Sequence, residues 1–202
     1  MQLSKGAVLC LTLLFVPACW VSTAMRWAAQ QLNPASYSTI MPHKHEPPTH
    51  HKGTLKQLVS ELDKPKSKVI VVGAPGVGKT TLLHALAGQT QALGSKEIVL
   101  IQADRIRQLA PIGSSESTYA WLLRRAMDYW VSRLHGKVVF AIDDVHYILH
   151  PDGEQGSFLL TALQSPARIV ITTTDTAYSK LLDPQMHMAK PHHVVLGLSS
   201  NQ

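Results

Sequence analysis

The sequence predicts an α/β fold, a parallel five-stranded sheet held between two layers of helices as a three-layer sandwich. Three observations point there. Apolar, β-branched runs alternate with helical stretches from residue 54 onward, the pattern of strands joined by helical crossovers. A glycine-rich octapeptide, Gly73-Ala74-Pro75-Gly76-Val77-Gly78-Lys79-Thr80, joins the first such run to the helix that follows it. The uncharged run Val138-Val139-Phe140-Ala141-Ile142 ends abruptly in Asp143-Asp144.

The elements follow in chain order. Residues 1–29 form a hydrophobic N-terminal segment. Its core, Gly6 to Met25, is uncharged and flanked by Lys5 and Arg26. Twenty apolar residues suffice for a membrane-spanning helix. The same stretch also fits a secretory signal, with Ser22-Thr23-Ala24 as small-residue cleavage site, or an organellar transit peptide, since no acid precedes Glu46. The expectation is a chain that is membrane-anchored, or targeted to an organelle or the endoplasmic reticulum. Residues 30–53 read as a linker, because Pro34, Pro42, Pro47 and Pro48 interrupt regular structure. The histidines there, His43, His45, His50 and His51, read as solvated linker rather than a metal site. The globular part is 54–202.

Thr54 is expected to open a helix with Leu55, Leu58, Val59 and Leu62 on one face, with Gln57 completing a capping box and Pro65 ending it. Strands are expected at Lys68–Val72, Glu97–Gln102, Val138–Ile142, Arg168–Ile171 and His193–Leu196. A helix follows the octapeptide from Thr81 to Ala87, with Gly88 at its end. A short helix is expected at Asp104–Leu109, a loop at Pro111–Ser115, and another short helix at Phe158–Leu163. The strongest helical pattern runs from Thr118 to Leu134, with Leu123, Met127, Trp130, Val131 and Leu134 on one face. Trp121, Tyr129 and Trp130 read as packing residues rather than a stacking platform.

Composition narrows the chemistry. The formal net charge is +6 over 202 residues and is spread evenly, so nothing indicates nucleic-acid binding. The cysteines, Cys10 and Cys19, both lie in the N-terminal segment. The globular part therefore has no disulfide, thiolate metal site or cysteine nucleophile.

The octapeptide is a full match to the P-loop, or Walker A, pattern. Its glycines let the backbone curl, so that N–H groups and the following helix's positive end face a phosphate. Gly73, Ala74, Pro75, Gly76, Val77, Gly78, Lys79, Thr80 and Thr81 are the expected nucleotide-binding residues. Lys79 reaches the β- and γ-phosphates as a point charge, and Thr80 offers its hydroxyl to Mg²⁺. Asp143-Asp144 fits the second acidic element, Walker B. Asp143 is the expected Mg²⁺ residue beside Thr80, and Asp144 the residue that orients or deprotonates water.

From Lys68 to about Leu198 the chain resembles the ATPase core of AAA+ proteins, closest to the first ATPase module of Clp-type chaperones. The resemblance rests on the octapeptide, on Val138-Val139-Phe140-Ala141-Ile142-Asp143-Asp144-Val145-His146, and on Ile171-Thr172-Thr173-Thr174-Asp175-Thr176-Ala177-Tyr178. It implies ATP and Mg²⁺ as cofactors and ATP hydrolysis that acts on a protein partner or works with a complete AAA+ subunit. It also implies that Thr173 is the polar residue that helps place the attacking water. The alternative it leaves is a nucleotide-binding regulator with little turnover. Asp144 stands where the family carries Glu, one methylene longer. No arginine lies between Arg168 and Gln202, so an arginine finger before the last strand is missing and only Lys180 or Lys190 offers a charge. The pore-loop region, Ile112-Gly113-Ser114-Ser115, lacks the family's aromatic, with Tyr119 the nearest. The chain stops before the helical lid, so the expectation is an AAA+ core without that lid. Torsin-like ATPases share the plan of a hydrophobic segment and one module, as an analogy. ABC ATPases are argued against by the lack of a Leu-Ser-Gly-Gly-Gln-like signature between Thr80 and Asp143, and GTPases by the lack of an Asn/Thr-Lys-x-Asp run after Thr90.

Overall fold

Six strands pair into one sheet in the computed structural model, which describes residues 33–42, 51–110, 116–148, 162–177 and 194–198. The strands are β1 (Ser38–Ile40), β2 (Lys68–Gly73), β3 (Glu97–Gln102), β4 (Val138–Asp143), β5 (Arg168–Thr173) and β6 (Val194–Leu198). Their order across the sheet is β1-β3-β4-β5-β2-β6. All pairings are parallel except β1 against β3. Every residue of β2 and β4 is buried, as expected for strands covered on both faces.

The helices are α1 (Lys52–Asp63), α2 (Lys79–Ala87), α3 (Ala103–Leu109) and α4 (Glu116–Arg133). Strand alternation splits the core into two layers. Ile70, Val72, Phe140, Ile142, Ile169 and Ile171 face α3 and α4. Val69, Val71, Val139, Ala141 and Val170 face α1 and α2. The three-layer α/β sandwich stands.

The sheet has six strands where five were expected. The additional strand, β1, lies in the proline-rich stretch expected to hold no regular element. Pro34 opens a short 3₁₀ turn at Pro34–Ser36, with Asn33 as its cap, and β1 follows. Long-range bonds fix this strand. Trp130 donates its Nε1–H to Ser38 Oγ at 2.7 Å, Tyr37 donates its hydroxyl to Leu122 O at 3.1 Å, and Met41 N–H reaches Ile98 O at 2.9 Å. Because β1 is an edge strand, the prolines around it cost the sheet no ladder bond.

Other boundaries move for physical reasons. α1 begins at Lys52 with His51 as its cap, and no side chain caps it. Thr54 is therefore a buried residue inside the helix, not the first half of a capping box. Val131, expected on the buried face of α4, is 39% exposed. It lies roughly 80° round the helix from Leu123, at the stripe's margin. Trp130 is buried, whereas Trp121 is exposed under the guanidinium of Arg125.

Among the described residues no helix is long and apolar enough to cross a membrane. The expectation of a membrane-anchored or organelle-targeted chain is withdrawn on that finding. Residues 6–25, on which it was placed, lie outside the described residues, as do His43, His45, His50, the 111–115 loop, Lys180 and Lys190.

Candidate active site

β5 lies between the strand that ends in the glycine loop, β2, and the strand that ends in the two aspartates, β4. The carboxyl ends of the three strands therefore converge, the place where open α/β sheets bind ligands. Register makes the convergence specific. Val72 pairs with Thr173, and Ile142 with Ile171. One step further along, Asp143 comes beside Thr172 on the face that carries α2.

The contacts follow. Thr80 donates its hydroxyl to Asp143 Oδ2 at 2.8 Å. Thr172 donates its hydroxyl to Asp143 Oδ1 at 2.5 Å and accepts the Asp144 N–H at 2.7 Å. The two aspartates are thus held by one threonine. Thr172 is a site residue that sequence reasoning missed. Three consecutive threonines close β5, and which of them faces Asp143 depends on strand alternation.

The loop is built by backbone geometry. Gly78 has a φ of 98° and caps α2, leaving the helix's first N–H groups free of side-chain caps. Gly73 passes so close to β6 that a Cβ there would meet Leu198 O at 2.7 Å. Lys79 is buried, and its ammonium donates to Gly73 O and Ala74 O, each at 3.0 Å. Val77 packs with the α1–α2 core, and its carbonyl lies 2.9 Å from His51 Nε2.

Pro75, Gly76, Gly78, Lys79, Thr80 and Thr81 line one wall of a cavity of about 410 Å³, with Asp144, His146, Tyr147 and Thr174 on the other. That volume falls in the usual range for small-molecule sites, roughly 300–1,000 Å³. Asp144 adopts a left-handed backbone, φ 51° and ψ 51°, which turns the chain out of β4. Burial, then the adjacent Asp143 carboxylate, push its carboxyl above the ordinary range. Burial pushes His146 below its ordinary value. The His146 ring lies against Tyr147, with centroids 4.3 Å apart. Its Nδ1 is 3.9 Å from Asp144 Oδ1.

The structure thus brings together Lys79, Thr80, Asp143 and Asp144. It places Thr173 differently. Thr173 is fully buried on the α3–α4 face, is not among the residues lining the cavity, and its Oγ1 has no partner among the described residues.

The donor set suits a magnesium-bound nucleotide. Two hard oxygen donors, Thr80 Oγ1 and Asp143 Oδ2, stand together as Mg²⁺ requires. A lysine and a left-handed glycine at a helix start border the same space.

Comparison with known proteins agrees with the fold. The profile of the ATPase family associated with various cellular activities (AAA) matches residues 69–194. No curated protein matches the chain. Among solved structures, yeast (S. cerevisiae) Hsp104 in its ADP complex superposes with a TM-score of 0.65 at 15% identity, over 83% of this chain and 25% of that one. Hsp104 in its extended casein complex gives 0.59 at 15% identity, over 82% and 30%. A chain of the E. coli MS115-1 HORMA:CdnC:Trip13 complex gives 0.56 at 15% identity, over 80% and 68%. This chain therefore spans about a quarter of Hsp104, and at such identities the likeness is one of fold. The family profile covers well over half of the sequence and ends at the last strand, and on that ground the chain belongs to the AAA family of ATPases.

Proposed function

We propose that the chain binds Mg-ATP at the 73–81 loop and hydrolyses it, and that this drives change in a protein partner. One observation carries the reading. The Walker A threonine and the Walker B aspartate are hydrogen-bonded at 2.8 Å, beside Lys79 and Asp144, at the mouth of a glycine loop. In this reading Lys79 leaves the Gly73 and Ala74 carbonyls for the phosphates and neutralises their charge. Thr80 and Asp143 hold the metal, which when bound supplies charge neutralisation to the phosphates. Asp144 orients water and accepts its proton, and burial, which raises its proton affinity, suits it to that task. Gly76, Gly78 and Thr81 complete the anion cradle. Thr173 is the residue the family likeness puts beside the attacking water, and Thr174 is the neighbouring threonine that lines the cavity.

The protein-partner half of the proposal rests on family membership and on the fold shared with Hsp104, which was solved in complex with casein. A second reading, a nucleotide-binding regulator with slow turnover, is favoured by two features. Asp144 has a short side chain, and no arginine stands between Arg168 and β6. An arginine supplied to the transferring phosphoryl group is worth roughly 10³–10⁵ in rate in P-loop enzymes.

Turnover separates the two. The full chain is assayed for ATP hydrolysis beside Lys79→Ala, Asp144→Asn and Asp144→Glu. The hydrolase reading expects Asp144→Asn to keep nucleotide and lose turnover, and Lys79→Ala to lose both. A faster Asp144→Glu would identify the short side chain as the limit. Turnover indistinguishable from that of Asp144→Asn, with nucleotide still bound, would instead establish the regulator. The assay uses the full chain because residues 54–202 alone would lack β1 and His51.

A further inference from the structure

His51 stands outside the cavity yet touches the loop that forms it. Its side chain is buried, at 1% exposure. Its Nε2 lies 2.9 Å from Val77 O, and a Cβ on Gly78 would come within 2.9 Å of the same nitrogen. A carbonyl oxygen only accepts, so Nε2 carries the proton and donates.

The consequence lies in the peptide unit that Val77 and Gly78 share. A trans peptide is planar, with its C=O and N–H pointing in opposite directions, and the described residues contain no cis bond. Holding Val77 O toward His51 therefore aims the Gly78 N–H the other way. Gly78 lines the cavity, and its φ of 98° is one that a chain without a Cβ adopts freely.

We propose that His51 is a positioning residue for the anion cradle: by binding Val77 O it fixes the Val77–Gly78 peptide with its N–H facing the phosphate site. Its position as the cap of α1 also ties the start of that helix to the loop. The inference rests on the nucleotide-binding reading of this loop, but its first test does not need nucleotide.

Amide hydrogen exchange of residues 76–80 is measured on the nucleotide-free full chain as wild type, His51→Phe and His51→Gln. Phe keeps the ring volume without a donor, and Gln places an N–H near the position of Nε2. Faster loop exchange in His51→Phe, restored in His51→Gln, is the expected result. Mg-ADP affinity should fall about fivefold with Phe, the scale of one hydrogen bond, and recover with Gln. Unchanged exchange of 76–80 in a folded His51→Phe would overturn the proposal, whatever happens to nucleotide. Wild type that binds no Mg-ADP would refute the nucleotide reading, while loop exchange would still decide the role of His51. The ring tautomer is read in wild type by ¹⁵N NMR, independently of any variant's folding. A protonated Nε2 is expected, and a bare Nε2 with the proton on Nδ1 would overturn the proposal.

Discussion

The Thr172 hydroxyl donates to the Asp143 carboxylate and accepts the Asp144 N–H. Thr173, the next residue, buries an Oγ1 with no partner among the described residues. Val substitutions should therefore act oppositely. Thr172→Val leaves a buried carboxylate oxygen and an N–H unmet, and should cost about 1–3 kcal/mol of stability and weaken Mg-dependent nucleotide binding. Thr173→Val removes an unsatisfied buried hydroxyl and should be neutral or stabilising by up to about 1 kcal/mol. Denaturant unfolding of the two variants checks both. If Thr173→Val keeps its stability but abolishes ATP turnover, Thr173 is the water-placing residue after all. Gly78 gives a harsher test. Gly78→Ala meets both a left-handed φ and the His51 ring, and should cost about 1–3 kcal/mol and most of the nucleotide affinity. Much of the site was legible at this scale. The octapeptide and the Asp-Asp pair pointed to Lys79, Thr80, Asp143 and Asp144, which the fold brings to one place. The threonines could not be told apart, because three identical side chains carry no alternation signal. His51 was expected in a solvated linker and is instead buried, because its partner, the Val77 carbonyl, lies 26 residues away and leaves no local pattern.

At the scale of elements, the five parallel strands were legible as apolar, β-branched runs, the last of them short, whereas β1 was not. Its three residues, Ser38-Thr39-Ile40, are too few for a pattern, and its pairing with β3 is non-local. Its attachment is testable. Ser38→Ala removes the acceptor of the buried Trp130 N–H and should cost about 1–3 kcal/mol in thermal or denaturant unfolding. At the opposite end of the sheet from the site, β2 starts with a buried lysine. Lys68 Nζ donates to Ser165 O at 2.8 Å and to Ala167 O. Burial lowers its pKa to about 8, from 10.5. A neutral amine still has two N–H groups, so deprotonation need break neither bond. In the window between those values the unfolded chain holds a proton that the folded chain has released. Stability therefore rises with pH there. The cost of the buried charge is fully present below about 8 and is relieved by 10.5. From pH 8 to pH 10 the unfolding free energy of wild type should rise relative to that of Lys68→Met. Parallel pH dependence in the two would exclude Lys68 as the source.

For the molecule as a whole, sheet order explains why separate motifs make one site. The P-loop and the aspartates are about 63 residues apart in sequence, and β5 inserts between their strands and supplies Thr172. The alternation of strands and helices made the sandwich legible, but the strand order follows from packing that no single segment reports. His51, at the start of α1, bonds the Val77 carbonyl and so joins the loop to the chain ahead of it; on the proposed reading, nucleotide affinity would depend on that whole layer. All of this depends on the loop being a phosphate cradle. Calorimetric titration of Mg-ATP into the full chain and into Lys79→Ala tests it most directly. The account predicts saturable one-to-one binding by wild type, with affinity at least about tenfold weaker once the charge-assisted phosphate contacts of the ammonium are lost. Equal affinity in the two proteins, or no binding by folded wild type, would contradict it.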